Sequence, residues 1–322
     1  MWRRHRGVRG RPLRGTVPDV LACAPLLEII AFVRQRLAAG HAVIELDVLD
    51  PDRGRGRYPG ELVEHAGVTY LHRPYRVWVD LAERLGLRML TPCVVAEPLV
   101  RLRFEPIDHS AWLTGSEGTE KYGADSEFAR ISKLEDPGFV IDFADALDRV
   151  ALAPGARILD LGVNTGDELA LLMALIPTLR GADFVGVDHS ASALAVARVR
   201  FGAEVALHEA DLKTLGSLAL GRFDLIVSIG TLQSPGIDDR EVLRRIVQDH
   251  LAPTGAVILG FPNCRYLDGE IEHGTRMKNF RQPELGLLIK DVAFYRKYLQ
   301  QHDRRVFVTG KNYVLVTGVS AP

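Results

Sequence analysis

The stretch Arg157-Ile158-Leu159-Asp160-Leu161-Gly162-Val163-Asn164-Thr165-Gly166-Asp167-Glu168 constrains this chain more than any other. An apolar run ends in an acid, crosses a short loop with two glycines, and opens into a helix. Glycine lets the backbone come close to a ligand, and the amides at a helix start offer hydrogen-bond donors. The pattern is a strand–turn–helix cradle for an adenosine-bearing cofactor, and which cofactor it takes fixes the reaction type.

A dinucleotide fingerprint is spaced G-x-G-x-x-G. Here Asn164 holds the middle position and no glycine follows at the third. Asp160 is the more telling residue: a carboxylate pointed at the loop repels a pyrophosphate but holds a cationic amino-acid moiety. A second apolar strand, Phe184–Asp188, ends in an acid able to accept both ribose hydroxyls. A third element, Val205–Leu212, carries Asp211, placed to meet the exocyclic amine of adenine. A fourth, Phe223–Gly230, is another buried strand. One acid at a strand end reads as a helix cap; three in register favour a ligand.

With these residues in place, residues about 137–319 resemble a class I S-adenosylmethionine-dependent methyltransferase. Asp160, Gly162, Asn164 and Gly166 match the family's first motif, Asp188 the acid closing the second strand, and Asp211 the acid after the third. Asn164 departs from the family's usual small residue at that point. The strings LGVNTGDEL, SIGTLQSP and GFPNCR are also similar to those of a bacterial subfamily of these enzymes. The resemblance implies an α/β fold: a doubly wound, Rossmann-like seven-stranded sheet with a C-terminal antiparallel hairpin. It implies S-adenosylmethionine as cofactor, with Asp160, Gly162, Val163, Asn164, Gly166, Asp188, His189, Asp211, Leu212, Ser228 and Gly230 as its binding residues.

The C-terminus is an independent check. Arg305–Thr317 is two β-rich runs broken by Gly310-Lys311-Asn312, an antiparallel hairpin. A nicotinamide-binding domain more often ends on a parallel strand. The 322-residue length allows two modest domains at roughly 100–200 residues each. Hydrophobic content of 47% and a net charge of −1 suit a soluble globular protein. Cys23, Cys93 and Cys264 lie far apart without ligand spacing, which points to a reducing, cytoplasmic location. No run reaches the ~20 apolar residues that span a bilayer; Leu21–Val33, interrupted by Pro25 and Glu28, reads as a helix. The ten histidines form no metal-binding spacing, so no metal is expected.

The domain plan has four parts. Residues 1–18 hold six arginines, His5 and no acid, and read as a solvated, disordered tail rather than an RNA arm. Residues 19–108 form a small α+β accessory domain. Within it Leu26–Ala39 has helical spacing, Ala42–Val48 alternates like a strand, Asp50–Gly60 is a loop, Pro74–Leu87 a helix and Pro98–Pro106 a strand. Its Arg53, Arg55, Arg57, Arg73 and Arg76 suggest a polyanionic substrate, although interspersed acids fit a mixed solvated surface equally well. Residues 109–136 form a linker or lid, and 137–322 the cofactor-binding domain, whose first helix starts near Pro137 and runs to about Val150. By analogy with the family, Tyr122, Arg130 and Lys133 are lid candidates. Arg130 or Lys133 would pair with the methionine carboxylate, and Tyr122 and Lys133 are also candidates for the acceptor.

The methyl acceptor belongs outside the carboxyl ends of the strands. Three segments reach there: Gly230–Pro235, Gly260–Tyr266 and the loop Asp268–Gln282. They supply Thr231, Gln233, Glu272 and His273 as catalytic candidates, and Asn263 and Arg265 as substrate-binding ones. In-line transfer from a sulfonium needs orientation and water exclusion, with a general base only for a protonated nucleophile; Glu272 or His273 would serve. The expected acceptor is a small metabolite, with tRNA or rRNA bound through the N-terminal domain as the alternative. A nicotinamide-dependent oxidoreductase and a non-catalytic cofactor-binding protein are the readings from other classes.

Overall fold

The computed structural model describes residues 19–108, 123, 126–179, 181–234, 236–274 and 285–321. The chain divides into two compact units, Met1–Asp108 and His109–Pro322.

The N-terminal unit runs β1 (Asp19–Val20), α1 (Leu26–Ala38), β2 (Ile44–Leu49), β3 (Leu62–His65), β4 (Val68–Leu71), α2 (Tyr75–Leu85), β5 (Leu87–Ala96) and β6 (Leu99–Pro106). Its sheet has the order β1-β2-β6-β5, and β3 and β4 form a separate hairpin. Alternation on β2 and β6 turns Ile44, Leu46, Leu102 and Phe104 inward against Ile29 and Val33 of α1 and Trp78 and Leu81 of α2. Gly86, at φ 67°, caps α2 in the left-handed region and lets the chain turn directly into β5. Two elements go beyond the sequence expectation. The β3–β4 hairpin follows the turn-rich loop Asp50–Gly60 in a stretch too short for periodicity to mark, and β5 runs through Pro92. Proline lacks a ladder donor, and the pairing of β5 with β6 shifts register between Leu90 and Cys93, where Pro92 lies.

The C-terminal unit runs α3 (Pro137–Leu147), β7 (Arg157–Leu161), α4 (Asp167–Leu175), β8 (Asp183–Asp188), α5 (Ala191–Phe201), β9 (Val205–Glu209), β10 (Phe223–Ile229), α6 (Asp239–Arg245), β11 (Leu251–Pro262), β12 (Cys264–Leu267), β13 (Glu270–His273), α7 (Gly286–Gln301), β14 (Arg304–Thr309) and β15 (Tyr313–Ser320). Among the described residues the sheet has seven strands in the order β14-β15-β11-β10-β7-β8-β9. The strands β7 to β11 run parallel, while β15 is antiparallel to both β11 and β14. This is the doubly wound sheet with a C-terminal hairpin that the sequence implied.

Strands covered on both faces are apolar throughout and do not alternate. Successive β7 residues accordingly serve opposite cores. Ile158 packs with Phe139 and Phe143 of α3, Leu172 of α4 and Leu194 of α5. Leu159 packs with Leu243 of α6 and Tyr295 and Leu299 of α7. Asp136 starts α3 by accepting hydrogen bonds from the Gly138 and Phe139 amides, so Pro137 takes the first-turn position where its missing donor costs nothing. The segment Asp268–Gln282, expected as a loop, begins as β13 paired with β12, and residues 275–282 lie outside the described residues.

Candidate functional site

The carboxyl ends of β7, β8 and β10 are tied together by the chain that leaves them. The Gly162 amide donates to the Val187 carbonyl at 2.8 Å, and the Ser228 hydroxyl to the Leu161 carbonyl at 3.1 Å. The turn after β7 needs left-handed backbone at Gly162 (φ 78°), Asn164 (φ 47°) and Gly166 (φ 86°). A Cβ on Gly162 would lie 2.0 Å from Thr231 Oγ1, and one on Gly166 would lie 2.2 Å from the Phe201 ring. Asn164 meets the same backbone demand without glycine, because asparagine tolerates this region. Its Oδ1 accepts from the Thr165 amide at 2.8 Å.

The three acids behave differently. Asp188 is buried and accepts from the Asn164 and Ser190 amides, each at 2.9 Å, which fixes the turn after β7 against the end of β8. His189 is exposed, 3.7 Å from Asp188. Asp211 is exposed and accepts from the Lys213 amide at 2.8 Å, capping the turn that begins at Leu212. Asp160 is 1% exposed, and neither carboxylate oxygen has a hydrogen-bond partner. Burial, reinforced by nearby Glu168, pushes the Asp160 carboxyl well above the usual carboxylate range; Lys133 opposes that shift.

Lys133 makes a close ion pair with Glu168 in the first turn of α4. Burial alone would lower the lysine's pKa, but Glu168, Tyr313 and Asp160 together outweigh it and the net shift is upward. Glu168 Oε2 remains buried without a partner. Tyr313 faces the same cluster, and burial pushes its phenol up to about 12. The sequence placed Lys133 at the methionine carboxylate or the acceptor. In the structure its charge is spent on Glu168, beside Asp160. Arg130 is exposed at the end of the short turn Glu127–Arg130, and Tyr122 lies outside the described residues.

Around the ends of β10 and β11 the acceptor candidates separate. Thr231 packs on Gly162, with its hydroxyl 3.4 Å from the Ile229 carbonyl. Gln233 Oε1 is buried without a partner. Gly230, at φ 74°, donates its amide to the Gly260 carbonyl. Asn263 donates Nδ2 to the Lys311 carbonyl at 3.1 Å, which leaves its Oδ1 buried without a partner. Arg265 and Glu272 sit opposite each other across the β12–β13 hairpin and form an ion pair. His273 Nε2 lies 2.9 Å from Asn312 Oδ1. Both residues expected as bases are therefore engaged in holding the hairpin.

A network that sequence reasoning missed continues from there. Asn312 Nδ2 donates to both oxygens of Asp136, each at 2.9 Å, and the Tyr266 hydroxyl donates to Asp136 Oδ2 at 3.3 Å. It joins the start of α3, the β12–β13 hairpin and the β14–β15 turn. The Asp136-Pro137 helix start was the visible signal for one end. Nothing local marked Asn312 beyond its place in a turn.

The cluster fits a cationic amino acid. Three carboxylate oxygens, both on Asp160 and one on Glu168, are buried without partners, and Lys133 supplies one neutralising charge. The α4 N-terminus has no side-chain cap, which leaves its first amides available. Residues 158–255 match the family described as methyltransferase domain. No curated protein matches the chain. Among solved structures it is similar to a precorrin-6y C5,15-methyltransferase from Geobacter metallireducens (16% identity, 56% of this chain and 87% of that one, TM-score 0.39). A SAM-dependent methyltransferase from Aquifex aeolicus gives 15% identity over 59% and 96% of the two chains, TM-score 0.42. The plantazolicin methyltransferase BpumL in complex with SAH gives 13% over 63% and 94%, TM-score 0.46.

The C-terminal unit is a class I S-adenosylmethionine-dependent methyltransferase domain. The chain is accordingly an enzyme, and its cofactor is S-adenosylmethionine. No helix among the described residues is long and apolar enough to cross a membrane.

Proposed function

We propose that this enzyme methylates a small metabolite presenting hydrogen-bond donors, by direct in-line transfer. The observation that carries the reading is the pair of side-chain carbonyl oxygens, Gln233 Oε1 and Asn263 Oδ1, buried without partners just past the carboxyl ends of β10 and β11. Buried acceptors left unsatisfied are costly and select a ligand bearing N–H or O–H groups. The compensated basic residues of the N-terminal unit and the net charge of −1 favour this over an RNA acceptor.

When bound, S-adenosylmethionine supplies an electrophilic methyl group on a sulfonium. In this reading Asp160, with Glu168 behind it, receives the ammonium of the methionine moiety. Asp188 has lone pairs left for the ribose hydroxyls after accepting two amides, and the turn Gly162–Gly166 lines the same pocket. His189, Asp211, Leu212, Ser228 and Gly230 complete the adenosine side, and Arg130 is the exposed candidate for the carboxylate. Glu272 and His273 act as supports of the pocket wall, since Glu272 is held by Arg265 and His273 lies against Asn312. Thr231 holds Gly162 in place, and Gln233 and Asn263 orient the acceptor.

The test uses methyl-labelled S-adenosylmethionine with either a macromolecule-free metabolite extract or total RNA. Label in the low-mass fraction, lost in Gln233→Ala and Asn263→Ala while cofactor affinity holds, is the expected result. Label in RNA alone would replace the small-molecule reading. The reducing cytoplasm is the compartment we assign, because all three cysteines are free and Cys23 and Cys93 are exposed.

A further inference from the structure

Among its described residues the N-terminal unit holds a buried cation that no acid balances. Of its five grouped arginines, Arg53 pairs with Glu97, Arg55 with Asp52, Arg57 with Glu61 and Arg76 with Asp80. Arg73 is different. It is 6% exposed, its Nη2 donates to the Ala24 carbonyl at 2.6 Å, and its guanidinium stacks over the Trp78 ring. Nη1 is buried with no hydrogen-bond partner, and no acid pairs with this side chain among the described residues. Trp78 Nε1 is likewise buried without a partner. Arginine is rarely so buried unless paired, and it cannot shed its proton to escape the cost.

Arg73 lines a cavity of 290 Å³ together with Pro25, Leu26, Pro59, Gly60, Leu71 and Val77. Pro25, Leu26, Pro59 and Gly60 are exposed, Leu71 and Val77 are half-buried, and Arg73 is the buried member of the lining. Two helices also start here. The first, α1, follows Pro25, and the second, α2, follows Pro74; neither has a side-chain cap. The first turn of α2 carries no acid, and Glu28 in α1 is exposed. The Arg73–Ala24 bond holds the two starts together. Uncapped helix N-termini favour anions through their free amides and macrodipoles.

We propose that this cavity is a binding site for a small apolar molecule carrying one oxyanion group, a carboxylate or phosphate. The head group takes Arg73 Nη1, and the apolar body lies against Leu26, Leu71 and Val77. The volume is at the lower edge of the ~300–1,000 Å³ usual for ligand pockets, so the ligand is small. A polyanion such as RNA is disfavoured, because the surrounding arginines are already compensated. The site stands apart from the methyltransferase reading and does not depend on it.

The test is a methyl-NMR titration of the full chain with hexanoate, hexyl phosphate, hexanamide and hexylamine. The expected result is saturable shifts at Leu26, Leu71 and Val77 with the anions. The amide and the amine should bind at least about tenfold more weakly. The stronger of hexanoate and hexyl phosphate identifies the head group. Arg73→Leu should abolish the shifts. Leu26→Glu, at the exposed rim, supplies an internal anion and should block hexanoate even if Arg73→Leu proves unstable. Equal response to hexanamide, undiminished binding by Leu26→Glu, or no saturable shift with either anion would overturn the proposal.

Discussion

Among the described residues, each unit buries a charged group that no ion pair balances, and the two groups have opposite signs and opposite options. Asp160 sits at the end of β7 with both oxygens unpaired; Arg73 sits beside the start of α2 with Nη1 unpaired. A carboxyl can take up a proton, and burial has already moved Asp160 in that direction. A guanidinium stays charged at any accessible pH. The cost of burying Asp160 can therefore be relieved by taking up a proton, whereas that of Arg73 cannot. A group able to neutralise itself suits a site that must also release its ligand; a group unable to do so marks a site that is less comfortable empty.

The comparison is broken most sharply by a paired arginine from the same unit. Arg101 donates to Asp47 through Nε at 2.8 Å and Nη2 at 3.1 Å, and Asp47 is buried. Arg101→Leu strands that carboxylate and should cost about 3 kcal/mol in urea unfolding. Arg73→Leu strands no charge, and the unit should be as stable as wild type or more so. Similar losses for both variants would mean that Arg73 is compensated after all.

The next effect is on the cofactor. Asp160→Asn keeps the shape and removes the charge, so S-adenosylmethionine should bind about 10- to 100-fold more weakly, or about 1.4–2.8 kcal/mol. The thermal stability of the free protein should not fall, because a buried carboxyl has been replaced by a neutral amide. Calorimetry and thermal unfolding read the two halves separately. A parallel loss of both would make Asp160 a structural residue only.

A smaller, pH-linked effect tests the proposed proton. Asp160 has a folded pKa above its unfolded value, so the folded state binds more protons between the two. Its contribution is fully present below the unfolded pKa, and stability falls as pH rises through the folded one. Ammonium binding favours the ionised carboxylate, so cofactor binding should release a proton and tighten as pH rises through the same window. The charged and titratable groups facing Asp160 are Glu168, Lys133, Asp188 and Asp167. Lys133 and Glu168 hold each other, so the slope should belong to Asp160 and flatten in Asp160→Asn. Calorimetry in buffers of different ionisation enthalpy measures the proton directly; a buffer-independent enthalpy would show that Asp160 is already ionised.

What was legible in the sequence was what burial writes locally. Strands β7, β8, β10 and β11 are covered on both faces, so they appear as apolar runs, and the acids that end β7 and β8 stand out. Pairings between distant segments left no such trace. Lys133 and Glu168 meet only because the turn before α3 lies against α4, and Asn312 reaches Asp136 from the far end of the unit. Glu272 and His273 read as free donors in a loop because β12 and β13 are too short to announce a hairpin. Arg73 was indistinguishable from Arg76, three residues on, since charge is a property of sequence and burial one of the fold.

That last pair gives the smallest prediction and the control for the others. Arg76 and Asp80 are one helical turn apart on α2, 2.7 Å between charged atoms and both more than half exposed. Such pairs gain little in water, lose side-chain entropy on forming, and are screened by salt. Arg76→Ala should change stability by less than about 0.5 kcal/mol, with the difference shrinking further at high salt. It should also leave hexanoate binding at the cavity unchanged, because Arg76 is not among the lining residues. If Arg76→Ala weakened that binding as much as Arg73→Leu, general positive potential would account for the effect, and the buried guanidinium would lose its special place.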